Sequence, residues 1–287
     1  MKKGGFFKSN WTYLLWVIVY IYLSWLLLGA TQESLIVTII AYAVSIAIAL
    51  SPLGEIILRM TEGARRLKTR EEIDYLQPIF EEVYQDAKEK HKNLNNKIEL
   101  FITDKIYVNA FACGKKTVAL TKGAINTFSK EELKGVIAHE LGHIANGDTK
   151  ALLLNVVGNG VFTLIILFVK LFLIVLNVIA DNIRSMAVFS IFFTIFGFIF
   201  DIGLMLFMLI GQLILSINSR YNEYLADNFA YHIGYGEELI SALYILQKMS
   251  IPSNISLLER LRASHPHLAD RIARLEQLQD NEIIETE

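Results

Sequence analysis

Four long apolar runs, set two and two around a polar stretch, constrain this chain more than any other feature. Trp11 to Gly29 and Leu35 to Leu53 carry no charge. Each is close to the ~20 residues that a helix needs to cross a bilayer. Only Ala30 to Ser34 separate them, so they read as a helical hairpin. The apolar core of the first is too long for a secretory signal, and no small-x-small cleavage pattern follows it. The second pair, Ala151 to Ala180 and Met186 to Ile217, is longer than single spans require. Such segments can tilt, kink (here near Gly158 and Gly160) or protrude. Their length favours a membrane hairpin over a helical hairpin buried in a soluble core, and full crossing stays open. The overall composition, 53% hydrophobic with a mean hydropathy of +0.41, agrees with a membrane protein.

Two charges interrupt the second pair. Lys170 and Asp201 lie on opposite arms, either as a staggered ion pair or as a snorkelling lysine and an aspartate facing a bundle partner. Basic residues set the orientation. Lys2, Lys3 and Lys8 precede the first span and Arg59, Arg65, Arg66, Lys68 and Arg70 follow the second, whereas the two short connections hold only Arg184. Both termini and the polar sequence are therefore expected on the cytoplasmic side. A net charge of −2 gives no nucleic-acid signal, and the lone Cys113 excludes an intrachain disulfide. Cys113 itself reads as a small, partly buried residue, with a fourth metal ligand or a redox switch as the sharper alternatives.

Between the hairpins stands His139-Glu140-Leu141-Gly142-His143. On a helix, positions i and i+4 share a face, so the two imidazoles converge on one point. A tetrahedral Zn²⁺ needs such a pair, and Glu140 is placed to take a proton from a water at the open position. Ser129 and Glu132 form a capping box, with Phe128 and Leu133 placed to staple the helix start. Val136, Ile137, Leu141 and Ile144 make the helix mostly buried, while Ala138, Gly142 and Ala145 permit close approach of another element.

Upstream, Glu55 to Leu67 reads as a basic amphipathic continuation of the second span at the membrane surface. Glu71 to Lys90 has apolar residues at helical spacing, and His91 reads as solvated. Ile98 to Ile102, Ile106 to Ala112 and Thr117 to Thr121 alternate with turns between them, which predicts a small antiparallel sheet. An exposed edge of that sheet can hold an extended peptide over a metal, or the sheet can simply pack on the helix.

Two histidines leave a zinc site incomplete. After the second apolar pair, Arg220, Glu223 and Asp227 lie on one helical face, with Tyr221, Leu225 and Phe229 as apolar positions. Glu223 can ligate a metal while Asp227 fixes a histidine tautomer, or the face can be a solvated charged one. Without the second hairpin the two helices become neighbours, so the hairpin reads as an insertion between two halves of one site.

These segments together resemble the HtpX-type membrane metallopeptidases, bacterial and archaeal relatives of the CAAX prenyl endoproteases. The resemblance rests on His139 to Asp148, on Ser219-Arg220 with Glu223 to Asp227, on Asn109-Ala110-Phe111-Ala112-Cys113-Gly114, and on Ser264-His265-Pro266 with Arg271-Ile272. It implies that Glu223 is the third zinc ligand in the manner of gluzincins, with one Zn²⁺ per subunit, and that Asp227 and Arg220 support the ligands. It implies that Asn109, Ala110, Phe111 and Ala112 bind substrate backbone and that His265 lies near the metal, where it stabilises the oxyanion. It further implies an inner-membrane zinc endopeptidase with Glu140 as catalytic base, acting on membrane or misfolded proteins in quality control under stress. A CAAX-type prenyl-peptide protease and a non-catalytic zinc-binding membrane scaffold are the alternatives.

The expected fold is mainly α with a small antiparallel β-sheet. It comprises a transmembrane hairpin (1–54), a first part of a zincin-like cytoplasmic domain (55–150), a second hydrophobic hairpin (151–217) and the rest of that domain (218–287). Within the last part, Glu237 to Met249 and His267 to Leu278 read as amphipathic helices, Gln279 to Glu287 as a frayed tail, and His232 and His267 as packing or solvated residues.

Overall fold

The computed structural model describes residues 11–92, 94, 97–156, 159–183, 187–249 and 267–286. Lys2, Lys3, Lys8, Gly158, Arg184, Ser264, His265 and Pro266 lie outside these. Two apolar helices, α1 (Trp11–Leu27) and α2 (Gln32–Leu50), form the first hairpin. Thr31 and Ser34 cap α2 reciprocally, and the Ser24 and Tyr42 hydroxyls meet at 3.2 Å across the hairpin. Ser51 ends α2 and caps α3 (Pro52–Glu62), with Pro52 at the first turn where its missing N–H costs nothing. A residue pair, β1 (Arg65–Arg66), then leads into α4 (Arg70–Lys90).

The sheet has the strand order β1-β2-β4-β3, with β2 (Glu99–Thr103), β3 (Ala110–Cys113) and β4 (Thr117–Thr121). It is mixed, which corrects the antiparallel expectation: β4 pairs parallel with β2 and antiparallel with β3, while β1 pairs antiparallel with β2. All of β4 is buried, and such a strand belongs in the middle of a sheet. The chain therefore crosses over the end of β4 before running back along the far edge as β3. The crossing uses Ile106 to Asn109, which the alternation had placed in a strand. Thr121 Oγ1 donates to the crossing carbonyls and accepts from the Asn109 N–H at 3.0 Å. Gly123 lets the crossing pass, because a β-carbon there would meet the carbonyls of Ile106 and Tyr107.

Helices α5 (Lys122–Thr127) and α6 (Lys130–Asn146) follow, and α6 carries the His-Glu-x-x-His motif. The third apolar run carries α7 (Thr149–Val156) and α8 (Gly160–Asn182); of the two glycines near which a kink was expected, Gly158 lies outside the described residues and Gly160 opens α8. The fourth run opens α9 (Ala187–His232), a continuous helix of 46 residues. At 1.5 Å per residue it is about 69 Å long, twice the thickness of a hydrocarbon core. Its first half is membrane-like and its second half carries Glu223 and Asp227. Helices α10 (Gly236–Met249) and α11 (Leu268–Thr286) complete the fold. The acidic tail expected to fray is helical through Thr286.

Among the described residues, α2, α8 and most of α9 are long and apolar enough to cross a bilayer, and α1 is a shorter apolar helix. Their outer faces expose Leu164, Phe168, Leu171, Val188, Ile191 and Phe198, each at least 60% accessible. A contiguous apolar surface of that kind needs lipid around it. Lys170 and Asp201 form the ion pair across α8 and α9, at 2.8 Å. Asn177 donates to Thr194 on the same pair of helices at 3.2 Å, and both pairs fit a single antiparallel register. On the inner faces Trp16 stacks on Phe207 with centroids 4.8 Å apart, which ties the two hairpins together.

The polar half has its own core. Leu76, Ile79, Phe80 and Val83 of α4 pack with Leu120 of β4, Leu133, Ile137 and Leu141 of α6, Phe229 of α9, and Leu239, Leu243 and Leu275 of α10 and α11. His91 belongs to its edge, tilted on Phe229 with centroids 5.3 Å apart, instead of being solvated. His232 and His267 are exposed, as expected. Tyr221 is also exposed, so Ala226, Phe229 and Ala230 form the packed face of α9 there.

Candidate metal centre

Local sequence fixes where α6 begins and ends. Ser129 Oγ accepts from the Glu132 N–H at 3.3 Å, while the Ser129 N–H donates to Glu132 Oε2 at 2.8 Å. Gly147 closes the helix in the left-handed conformation at φ 80°. Between these ends, residues 133 to 142 are all buried. Gly142 is the point of closest approach to α9: a β-carbon there would stand 2.9 Å from the Ala226 Cα. The two helices therefore pack nearly backbone to backbone. This close packing brings Glu223, one turn before Asp227 on α9, opposite the two histidines of α6.

The resulting geometry is compact. His139 Nε2 and His143 Nε2 lie 3.1 Å apart. Glu223 Oε2 is 3.5 Å from His139 Nε2, and its Oε1 is 3.6 Å from His143 Nε2. Among the described residues, His139, His143 and Glu223 form the group able to hold a metal ion, their donor atoms all within 4.8 Å of one another. Two nitrogens bound at about 2.0–2.1 Å to one tetrahedral Zn²⁺ stand about 3.4 Å apart, close to the spacing seen.

Each imidazole is oriented from behind. His139 Nδ1 is 2.9 Å from Asp227 Oδ1, and His143 Nδ1 is 2.8 Å from Asp148 Oδ2. A carboxylate on Nδ1 holds that nitrogen protonated and leaves the Nε2 lone pair facing forward. Two such lone pairs 3.1 Å apart, with a carboxylate beside them, require a positive charge between them. A divalent cation meets that requirement, so the donor set fits zinc. In the metal-free chain protons do the same work. Burial opposes protonation of His143, but Asp148, Glu223 and Glu140 outweigh it and raise its pKa to about 10. Burial and Arg271 likewise oppose protonation of His139, and Asp227 and Glu223 prevail. Asp227 is held below the ordinary carboxylate range: burial acts against this, and Arg271 and His139 overcome it.

Glu140 is buried on the same helix, close enough for its charge to act on His143 and Arg271. Arg220, three residues before Glu223, is half-buried. His265 lies outside the described residues. Strand β3, with Ala110, Phe111 and Ala112, is an edge of the sheet and packs beside α6. Its turn into β4 is fastened from the membrane side: Glu55 of α3 accepts from Thr117 Oγ1 at 2.6 Å and from the Lys115 and Lys116 amides. Thr149 of α7 donates to the Gly114 carbonyl at 2.6 Å. Cys113 is fully buried beside this turn, away from the donor cluster, and burial and Glu55 push its thiol up to about 12 against the pull of Arg59.

Two residues at the site had been given no role from sequence. Asp148 stands just past the helix-ending Gly147, where a short acidic residue can turn back onto His143. Arg271 carries a clearer signal. It falls on the apolar stripe of α11, three residues after Leu268 and four before Leu275, where an arginine is buried and so must find carboxylates.

Several known proteins are similar to this chain. Protease HtpX of Vibrio atlanticus is 31% identical over 189 residues, covering 61% of this chain and 64% of that protein. The Protease HtpX homolog of Desulfotalea psychrophila is 34% identical over 188 residues, 59% of this chain and 63% of that one. The chain thus spans just under two thirds of the relatives it matches. The crystal structure of S. mikatae Ste24p aligns with a TM-score of 0.51 at 21% identity, covering 91% of this chain and 63% of that one, which is a likeness of fold. The model of peptidase family M48 matches residues 71–279, from the start of α4 into α11, and the chain belongs to that family.

Proposed function

We propose that this multi-pass membrane protein is a zinc endopeptidase that cuts membrane or misfolded proteins beside the cytoplasmic face of the inner membrane, in the service of membrane-protein quality control. The observation that carries this reading is the convergence of His139 Nε2, His143 Nε2 and the Glu223 carboxylate, each imidazole backed by its own carboxylate. Relatives that bear the name Protease HtpX support the activity.

His139, His143 and Glu223 would hold one Zn²⁺ per subunit. When bound, zinc supplies Lewis acidity toward the scissile carbonyl and lowers the pKa of a water. The chain does the rest. The Glu140 carboxylate takes the proton from the attacking water and delivers it to the departing amine nitrogen. Asp227 and Asp148 keep the ligand imidazoles in the tautomer that presents Nε2. The outer edge of β3, with Ala110, Phe111 and Ala112, pairs with an extended substrate backbone, and the Glu55 and Thr149 contacts hold that edge in place; Asn109, expected from the resemblance to bind substrate backbone too, instead spends its amide and carbonyl on Thr121. His265 is assigned to the oxyanion by resemblance to the family.

The cytoplasmic placement rests on the basic residues flanking the first hairpin. The catalytic domain is read as residues 55–150 and 218–287, interrupted by the hairpin 151–217. The test is cleavage of a membrane-anchored, unstructured substrate by the purified full chain and by Glu140→Gln. Cleavage by the wild type alone, with equal zinc in both, is expected. Normal cleavage by Glu140→Gln would remove the proton-transfer role of Glu140.

A further inference from the structure

Helix α3 is polarised the wrong way round for water. A helix on a soluble surface turns its apolar stripe to the core and its charges outward. On α3 the charges face inward. Glu55 accepts from the Lys115 and Lys116 amides and the Thr117 hydroxyl, Arg59 lies 4.6 Å over the Phe101 ring, and Glu62 pairs with Lys105. The opposite face carries Leu53, Ile56 and Met60, spaced as one helical stripe and exposed by 52%, 41% and 76%.

The place of α3 in the chain says what covers that stripe. It starts one residue after the end of α2, which is long and apolar enough to cross a bilayer. A β-carbon on Gly54 would meet the Ala49 carbonyl, so the chain turns sharply there instead of prolonging the span. A helix that leaves a span at a sharp turn, apolar on its outer face, fits the boundary between lipid headgroups and acyl chains. The sheet is stacked on the other face. Phe101, Cys113 and Thr117 meet α3, while Ile102 and Val118 beside them enter the core shared with α6. The layers therefore run α3, sheet, histidine-bearing helix.

We propose that α3 rests on the bilayer through Leu53, Ile56 and Met60 and carries the sheet on its back, so that the edge strand β3 stands one helix diameter, about 10 Å, above the lipid. An extended chain covers about 3.3 Å per residue, so about three residues span that height. The peptide that β3 takes is then the first unstructured stretch beyond the membrane anchor of a substrate. This last step rests on the peptidase reading; the lipid contact does not.

The contact is tested on the wild-type full chain in nanodiscs that contain a phospholipid with a photoreactive acyl chain. Adducts are mapped by mass spectrometry after illumination. Adducts on α2 and on the Leu53 to Met60 stripe are expected, with none at Lys130. Adducts on α2 that stop before Leu53 would overturn the proposal, whether water or a second copy covers the stripe. The height is tested with two membrane-anchored substrates. One carries an unstructured segment directly after its span, and the other carries the same segment behind a stiff helical spacer of about 20 residues, about 30 Å long. Cleavage of the first and its loss in the second is expected. Equal cleavage of both would overturn the height that α3 sets. Cleavage of neither, with the stripe labelled, removes the peptidase reading and the substrate drawn from it, and leaves the lipid contact standing.

Discussion

The histidine pair shows how much a single motif determines and where it stops. His139 and His143 could be placed on one helical face from spacing alone, because helix geometry is fixed by the backbone. Asp148 and Arg271 could not, since each reaches its partner through a chain path that spacing does not describe. The carboxylates behind the imidazoles lead to two expectations. Asp148→Asn and Asp227→Asn should each lower zinc affinity by about 10–100-fold, measured by competition with a chelator. Metal binding should also be acid-sensitive. The folded metal-free chain holds protons on His143 up to about pH 10 and favours them on His139, and both histidines must release protons to bind metal. Affinity should therefore rise with pH through neutrality and be lost as pH falls. Calorimetry in two buffers of different ionisation enthalpy should detect net proton release at pH 7, and proton-independent binding would contradict this. Cys113, buried with its thiol pushed up to about 12, should resist alkylation in the folded chain and react on unfolding. Rapid labelling of the native protein would restore the redox alternative.

Elements are held in place by contacts between segments far apart in sequence, and here the sequence was less informative. The capping box of α6 was legible because serine and glutamate act locally. The mixed sheet was not, since alternation marks a strand without naming its neighbour, and β4 took the centre because all of it is buried. Gly142 lay between these cases: its small size suggested close approach, and the structure identifies Ala226 as the partner. Gly142→Val should separate α6 from α9, cost about 1–3 kcal/mol through overpacking, and reduce bound zinc more than Gly147→Ala does. Thermal unfolding and metal content of the two variants check this. In the membrane, Lys170→Leu should leave Asp201 without its partner and lower the unfolding temperature in detergent, and the exchanged pair Lys170→Asp with Asp201→Lys should recover most of the loss.

At the scale of the whole molecule, apolar run length was enough to predict two hairpins, because a bilayer imposes its own thickness on any helix that crosses it. It did not show that α9 passes from the apolar hairpin into the metal centre without a break. That continuity gives the inserted hairpin a mechanical link to Glu223, and Trp16 on Phe207 links the first hairpin to the same helix. The orientation argument predicts that a cysteine introduced at Lys130, at the start of α6, is labelled by a membrane-impermeant maleimide only after the cells are opened. Labelling in intact cells would invert the topology. The central claim is that His139, His143 and Glu223, from the two sides of the inserted hairpin, make one metal centre. Its most direct test is the zinc bound per chain in wild type, Glu140→Gln and Glu223→Ala purified side by side. One zinc in the first two and loss of tight binding in Glu223→Ala is the predicted result, and wild-type zinc affinity in Glu223→Ala would contradict the account.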